Sequence, residues 1–116
     1  MATNYRYEGR VMDITAGTDL KSGELVIVGD IAAVCITDID NTKKGSAAIE
    51  NVWELDKEAD PSGKELDQGK KVYWNATTGK VSNTPGSEPE LPCIGIAYED
   101  AASAATTCLI KINVGI

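Results

Sequence analysis

No stretch of ten or more residues in this chain carries apolar side chains at the spacing of an amphipathic helix. Short apolar runs recur instead about every 8–12 residues, each bounded by Gly, Pro, Asn or Asp. That pattern calls for strands and turns. "RVMDIT" (10–15) alternates. "ELVIVG" (24–29) and "IAAVCIT" (31–37) meet at Gly29-Asp30, which predicts a hairpin with a two-residue turn. "AAIENVWELD" (47–56) predicts one strand with a bulge near Asn51, because the step from Ile49 to Val52 breaks period two. "KKVYWN" (70–75) and "GKVSN" (79–83) flank "ATTG" and predict a second hairpin. "CIGIAYE" (93–99) and "CLIKINV" (108–114) supply the last two strands.

The segments between are turn-like. Residues 57–69 are polar and hold at most one helical turn, and 84–92 carries three Pro and reads as an irregular excursion. Residues 100–106 are small and fit a helical turn or a hairpin loop. A chain of 116 residues suits one domain. The expectation is an all-β fold: a small single-domain β-barrel or β-sandwich over 9–116, with hairpins, preceded by an extended N-terminal arm over 1–8. The rings are few, with two Trp, four Tyr and no Phe, so the core is expected to be thin and built from small and β-branched side chains. Strands 22–26 and 68–72 share Gly-x-x-Val, and 34–38 and 96–100 both end in Asp. Gly at strand entry and Asp at strand exit are common, and that explanation is preferred to two related halves.

Charge limits the partners. Eleven basic residues face eighteen acidic ones, giving a net charge of −7 with no basic block. Binding duplex DNA requires Lys and Arg to neutralise phosphates, so a direct nucleic-acid partner is not expected. No apolar run approaches the ~20 residues of a membrane span, and "MATNYRYEGRV" lacks the apolar centre of a signal peptide. Cys35, Cys93 and Cys108 each sit in an apolar run and are an odd number. They read as reduced, buried thiols of a protein assembled in the cytosol.

One stretch spells chemistry. "VCITDIDNTKKG" (34–45) places Asp38-x-Asp40 after an apolar strand, as in the haloacid-dehalogenase phosphotransferases, where the first Asp attacks phosphorus and the second is acid and base. That fold needs a helix next, and then further parallel strands joined by helices. Here a Thr-Lys-Lys-Gly-Ser turn and another strand follow, so a polar turn is the favoured reading and a phosphotransfer enzyme the alternative. Counting from Asp38, an EF-hand would need Gly where Lys43 stands and Glu where Ile49 stands. With no His there is no Ser-His-Asp or Cys-His pair, and no Gly-x4-Gly-Lys-Ser/Thr phosphate loop occurs. No catalytic, metal-binding or cofactor-binding residue is assigned, and no cofactor is expected.

The order of motifs over nearly the whole chain resembles the capsid cement, or decoration, proteins of tailed-phage heads. "YRYEGRVMDIT" leads into "KSGELVIVGDIAAVCITDI". Then come "IENVWELDK" (49–57), "GKKVYWN" (69–75), Gly79-Lys80-Val81, Ile94-Gly95-Ile96-Ala97, "AASAA" and "CLIKINV". Three positions depart from the family's pattern: Asn51 stands for Gly, Asp56 for Pro and Asn75 for Asp.

The resemblance implies a structural virion protein, not an enzyme. It would bind the major capsid protein on the outer surface of the expanded head and stabilise that head, as a homotrimer at local three-folds. Two sets of contact residues are expected: Asn4, Tyr5, Arg6 and Tyr7 of the arm against the capsid, and Trp53 and Trp74 at a subunit interface. A glycan-binding module on the head surface is a further alternative.

Overall fold

The computed structural model describes residues 9–86 and 90–115. Among them every regular element is a strand, and the fold is all-β as expected. The expected arm, with Asn4, Tyr5, Arg6 and Tyr7, lies outside the described residues. The chain gathers into two compact units that divide between Glu50 and Asn51.

The first unit holds β1 (Val11–Thr15), β2 (Leu25–Val28), β3 (Ile31–Cys35) and β4 (Lys44–Ala48) in one antiparallel sheet, ordered β1-β4-β3-β2. The predicted hairpin is there, with Val28 opposite Ile31 across Gly29-Asp30. Gly29 takes φ 59°, a left-handed value that a tight hairpin turn requires and that costs glycine least. One face packs Ile14, Leu20, Ala33, Cys35, Ile39 and Ala47 into a core. The small residues are forced by close approach: a Cβ on Gly45 would stand 2.5 Å from Ile39 Cγ1.

The second unit holds β5 (Val52–Asp56), β6 (Lys71–Asn75), β7 (Lys80–Ser82), β8 (Cys93–Ala97) and β9 (Thr107–Ile112), ordered β5-β9-β8-β6-β7. This sheet curls until its edge strands meet. Lys57 and Val81 form a parallel bridge, and the Glu58 N–H donates to Val81 O at 3.0 Å. Val72, Trp74, Val81, Ile94, Ile110 and Ile112 fill the interior, each at least nine-tenths buried. Fully burying one such aliphatic side chain is worth about 1.5–3 kcal/mol.

The expected continuous strand over 47–56 is a correction. β4 ends at Ala48 and β5 begins at Val52, in different sheets. Asn51 has φ 83°, so the chain turns there instead of bulging. Asn is among the few non-glycine residues that tolerate this region, which explains how it can stand where the resembled pattern has Gly. Asn75 likewise does the work of Asp: its Oδ1 accepts from the Thr77 and Thr78 N–H groups at 3.1 and 3.3 Å and shapes the β6–β7 turn.

The two units are copies of one plan. β1, β4, β3 and β2 correspond to β5, β9, β8 and β6, in the same sheet order. Equivalent backbone bonds match one to one. Leu20 and Ile39 bridge as Leu66 and Ala101 do. Gly23 N–H donates to Cys35 O, and Gly69 N–H to Ala97 O. Ala16 N–H donates to Lys43 O, and Lys57 N–H to Thr106 O. Ile49 N–H donates to Arg10 O, and Ile112 N–H to Asn51 O. The Gly and Asp echoes are therefore marks of a structural repeat, against the preference for coincidence. Leu66 stands 46 residues after Leu20 and Ala101 stands 62 after Ile39, so the second copy carries 16 more residues between them. That insertion contains β7.

Candidate functional site

Asp38 and Asp40 flank Ile39, which is 2% exposed and seated over Gly45. The Asp-x-Asp spacing is thus the period-two alternation of an extended segment, with the apolar residue in and both carboxylates out. Asp38 Oδ1 accepts from the Ser22 N–H at 2.8 Å. Asp40 contributes its carbonyl to the Lys43 N–H at 3.0 Å, closing the turn into β4, and Asn41 N–H donates to Asp19 Oδ1 at 2.8 Å. Both aspartates serve the turn. Among the described residues no cluster of three or more His, Cys, Asp or Glu side chains could hold a metal ion.

The most unusual group lies in the polar segment that follows β5. Lys57 is 1% exposed. Its Nζ donates to the carbonyls of Glu58, Ser103 and Ala105 at 2.7, 3.0 and 3.3 Å, so each ammonium proton has an acceptor. Burial pulls its pKa down, while the nearby Cys108, Glu65 and Glu58 pull it up. Its equivalent in the first unit is Ala16, also buried. The loop after β5 is longer than its counterpart after β1, and Lys57 ties that loop to the segment before β9. Hydropathy places a lysine in solvent, so the motif "VWELDK" alone could not reveal this.

All three thiols are free; Cys35 and Cys108 are buried and Cys93 is half-buried. Burial pushes the Cys108 thiol up to about 11, against the pull of Lys57, and raises Cys35 as well. Such thiols are poor nucleophiles at neutral pH.

Of the two tryptophans, Trp74 is 8% exposed and belongs to the interior of the second unit. Trp53 is half-buried on β5, opposite Ile110. Two apolar side chains stand out in solvent at equivalent places, Ile36 at 44% and Tyr98 at 49% exposed. Each follows the third strand of its sheet order and is fixed on both backbone sides. Ile36 N–H donates to Ser46 O and Tyr98 N–H to Leu109 O. The Ser22 hydroxyl donates to Ile36 O at 3.0 Å, and the Gln68 amide to Tyr98 O at 3.2 Å. These positions could be found only through the repeat.

The candidate surfaces are, in the first unit, Ile36 and the edge strands β1 and β2, and, in the second, Tyr98 and the half-buried Trp53. Comparison with known proteins agrees in kind. The family model described as phage cement protein matches residues 7–112, nearly the whole chain. No curated protein and no solved structure matches. The chain belongs to the phage cement proteins, a structural class associated with the phage capsid.

Proposed function

We propose that this phage cement protein binds the outer surface of an expanded tailed-phage head and holds neighbouring subunits of the major capsid protein together, as a homotrimer at local three-fold positions. The observation that carries the reading is the family match over residues 7–112. Other features support it. The net charge of −7 suits the side of the shell away from packaged DNA. Clamping a shell requires contact area and several linked contacts, each modest, and no reacting group. Ile36 and Tyr98 offer exposed apolar contacts, and Trp53 retains ring surface for a subunit interface. Trp74, held in the core, is the weaker candidate for that role.

The test is sedimentation of the purified chain with expanded shells made without it. Saturable binding near one trimer per local three-fold, with shells that then resist heat or chemical denaturation, is the expected outcome. A chain that stays in the supernatant with both expanded and unexpanded shells overturns the reading.

A further inference from the structure

The repeat exposes a place where the two units differ. In the second unit β7 fills the gap between β6 and β5. Ser82, Val81 and Lys80 lie opposite Tyr73, Trp74 and Asn75, and Val81 O accepts the Glu58 N–H beyond β5. In the first unit the equivalents of β6 and β5 are β2 and β1. Between them lies a groove of about 540 Å³ lined by Asp13, Ile14 and Thr15 on one side and Val26, Ile27 and Val28 on the other. Ile27 and Val28 are the counterparts of Tyr73 and Trp74. Gly17, at the end of the groove, is the counterpart of Glu58, and its N–H finds no acceptor among the described residues.

Among the described residues both edges of the groove are open for pairing. The bonds Cys35 N–H to Glu24 O and Gly23 N–H to Cys35 O, with the β2–β3 register, turn the backbone groups of Val26 and Val28 toward β3. Those of Leu25 and Ile27 then face the groove. On β1, Ala16 bonds toward β4, so Asp13 and Thr15 face the groove in the same way. None of these outward groups has a partner among the described residues.

We propose that the groove takes the N-terminal segment of a second copy of this chain, residues 2–8, as the fifth strand of the first sheet. The segment reads Ala-Thr-Asn-Tyr-Arg-Tyr-Glu. It alternates, with Thr3, Tyr5 and Tyr7 on one side and Asn4, Arg6 and Glu8 on the other, and its Thr and Tyr favour strands. Seated with its rings inward, it sets Tyr5 and Tyr7 on the face of Ile14, Val26 and Val28, as Val81 plugs the second unit. Arg6 then falls on the outer face with Asp13. Direction decides which copy donates. β7 is antiparallel to β6 and parallel to β5 at the Lys57–Val81 bridge, so its counterpart runs antiparallel to β2 and parallel to β1. A segment joined to β1 through Gly9 and Arg10 alone can fold back only antiparallel to β1; a parallel return needs a dozen or more residues. Taken in the direction of β7, the strand must come from another chain; entry of the chain's own segment would run antiparallel to β1 and leave the intact chain monomeric. Such exchange gives a dimer when two copies trade segments and a ring when it runs head to tail with a rotation that closes; a ring of three would be the trimer of the proposed function. The exchange itself rests on the repeat and not on capsid binding.

The test uses the intact chain, a variant lacking residues 2–8, and a synthetic peptide of residues 1–9, with mass read by light scattering on a sizing column. The intact chain is expected as a closed oligomer and the truncated chain as a monomer with the same strand circular dichroism. Excess peptide should convert the intact oligomer to monomer and bind the truncated chain one to one. Ile27→Pro, which removes an outward N–H from the groove and leaves the β2–β3 ladder intact, should abolish that binding. An intact chain that is monomeric, a truncated chain that keeps the oligomer, or peptide binding that survives Ile27→Pro would each overturn the proposal. So would a truncated chain that stays oligomeric and loses only its binding to shells, which would make the capsid the arm's acceptor. Because mass is read without shells, failure here leaves the sedimentation test of capsid binding standing.

Discussion

Asp38 and Asp100 do the same work in the two halves of the chain. Each follows the strand that pairs with a Gly-led strand entry, and each turns Oδ1 back to that entry. Asp38 accepts from the Ser22 N–H at 2.8 Å and Asp100 from the Gln68 N–H at 2.7 Å. The carboxylate in the nucleophile's place of the Asp-x-Asp motif is thereby one of a pair of turn braces, in keeping with the favoured reading of a polar turn.

Replacing either brace should cost stability in proportion to the acceptor removed. Asp38→Ala and Asp100→Ala should each lower unfolding free energy by about 1 kcal/mol, and Asp38→Asn by less, since an amide oxygen still accepts the N–H. Urea denaturation measures this. Asp38→Asn should also bind shells as the parent chain does, and no variant should change phosphatase activity from background.

Gly45 and Gly95 separate a soft clash from a hard one. A Cβ on Gly45 meets the Ile39 side chain, with Cγ1 at 2.5 Å and Cδ1 at 2.6 Å, and Ile39→Val removes Cδ1 and leaves a shorter side chain to give way. Gly45→Ala should cost about 1–3 kcal/mol, and adding Ile39→Val should recover part of it. A Cβ on Gly95 meets the carbonyl oxygen of Lys111 at 2.1 Å, and Gly95 has φ 154°. No side-chain change relieves a backbone oxygen, so Gly95→Ala should cost more than Gly45→Ala and resist rescue. Paired denaturation curves decide both.

What could be read in advance follows from what makes each feature. The hairpins at 29–30 and 76–79 were legible because two-residue and glycine-bearing turns need particular residues. The Cys35 and Cys108 burial was legible because apolar runs bury their members. The break at Asn51 was legible only as an irregularity, because the step from Ile49 to Val52 fits a bulge as well as a turn and only the left-handed φ separates the two. The repeat was nearly silent, because most of what the copies share is backbone bonding, such as Ala16 to Lys43 and Lys57 to Thr106, which constrains side chains little. Leu20 and Leu66, Gly23 and Gly69, Asp38 and Asp100 persist where geometry does demand a side chain.

Lys57 should prove to be a tie between loops. Lys57→Met keeps much of the side-chain volume and leaves the carbonyls of Glu58, Ser103 and Ala105 without their donor. A net loss of about 2–3 kcal/mol is expected, since each unmet buried acceptor is costly and relief from burying a charge offsets part of it. Lys57→Arg should not restore the loss, because a planar fork cannot aim at three carbonyls placed around a point charge. Amide exchange should quicken in 101–106 before the strands respond.

Cys108 gives the chain a defined alkaline weakness. Its thiol, held up by burial, ionises near 11 in the folded chain, against 9.0 for an ordinary thiol. Between those values the unfolded chain has released a proton that the folded chain still holds. Stability is therefore unaffected below about pH 9 and falls as pH rises toward 11, by about 2–3 kcal/mol in all. Cys35, also raised by burial, adds to the fall, and Lys57, lowered by burial, opposes it. The difference between the parent chain and Cys108→Ala removes the Cys35 contribution and reads Cys108 together with its coupling to Lys57. Measured by urea denaturation under reducing conditions, the parent's advantage should be constant up to pH 9 and shrink steadily above it. A difference that stays flat to pH 11 would mean that the thiol ionises in the fold as it does in water.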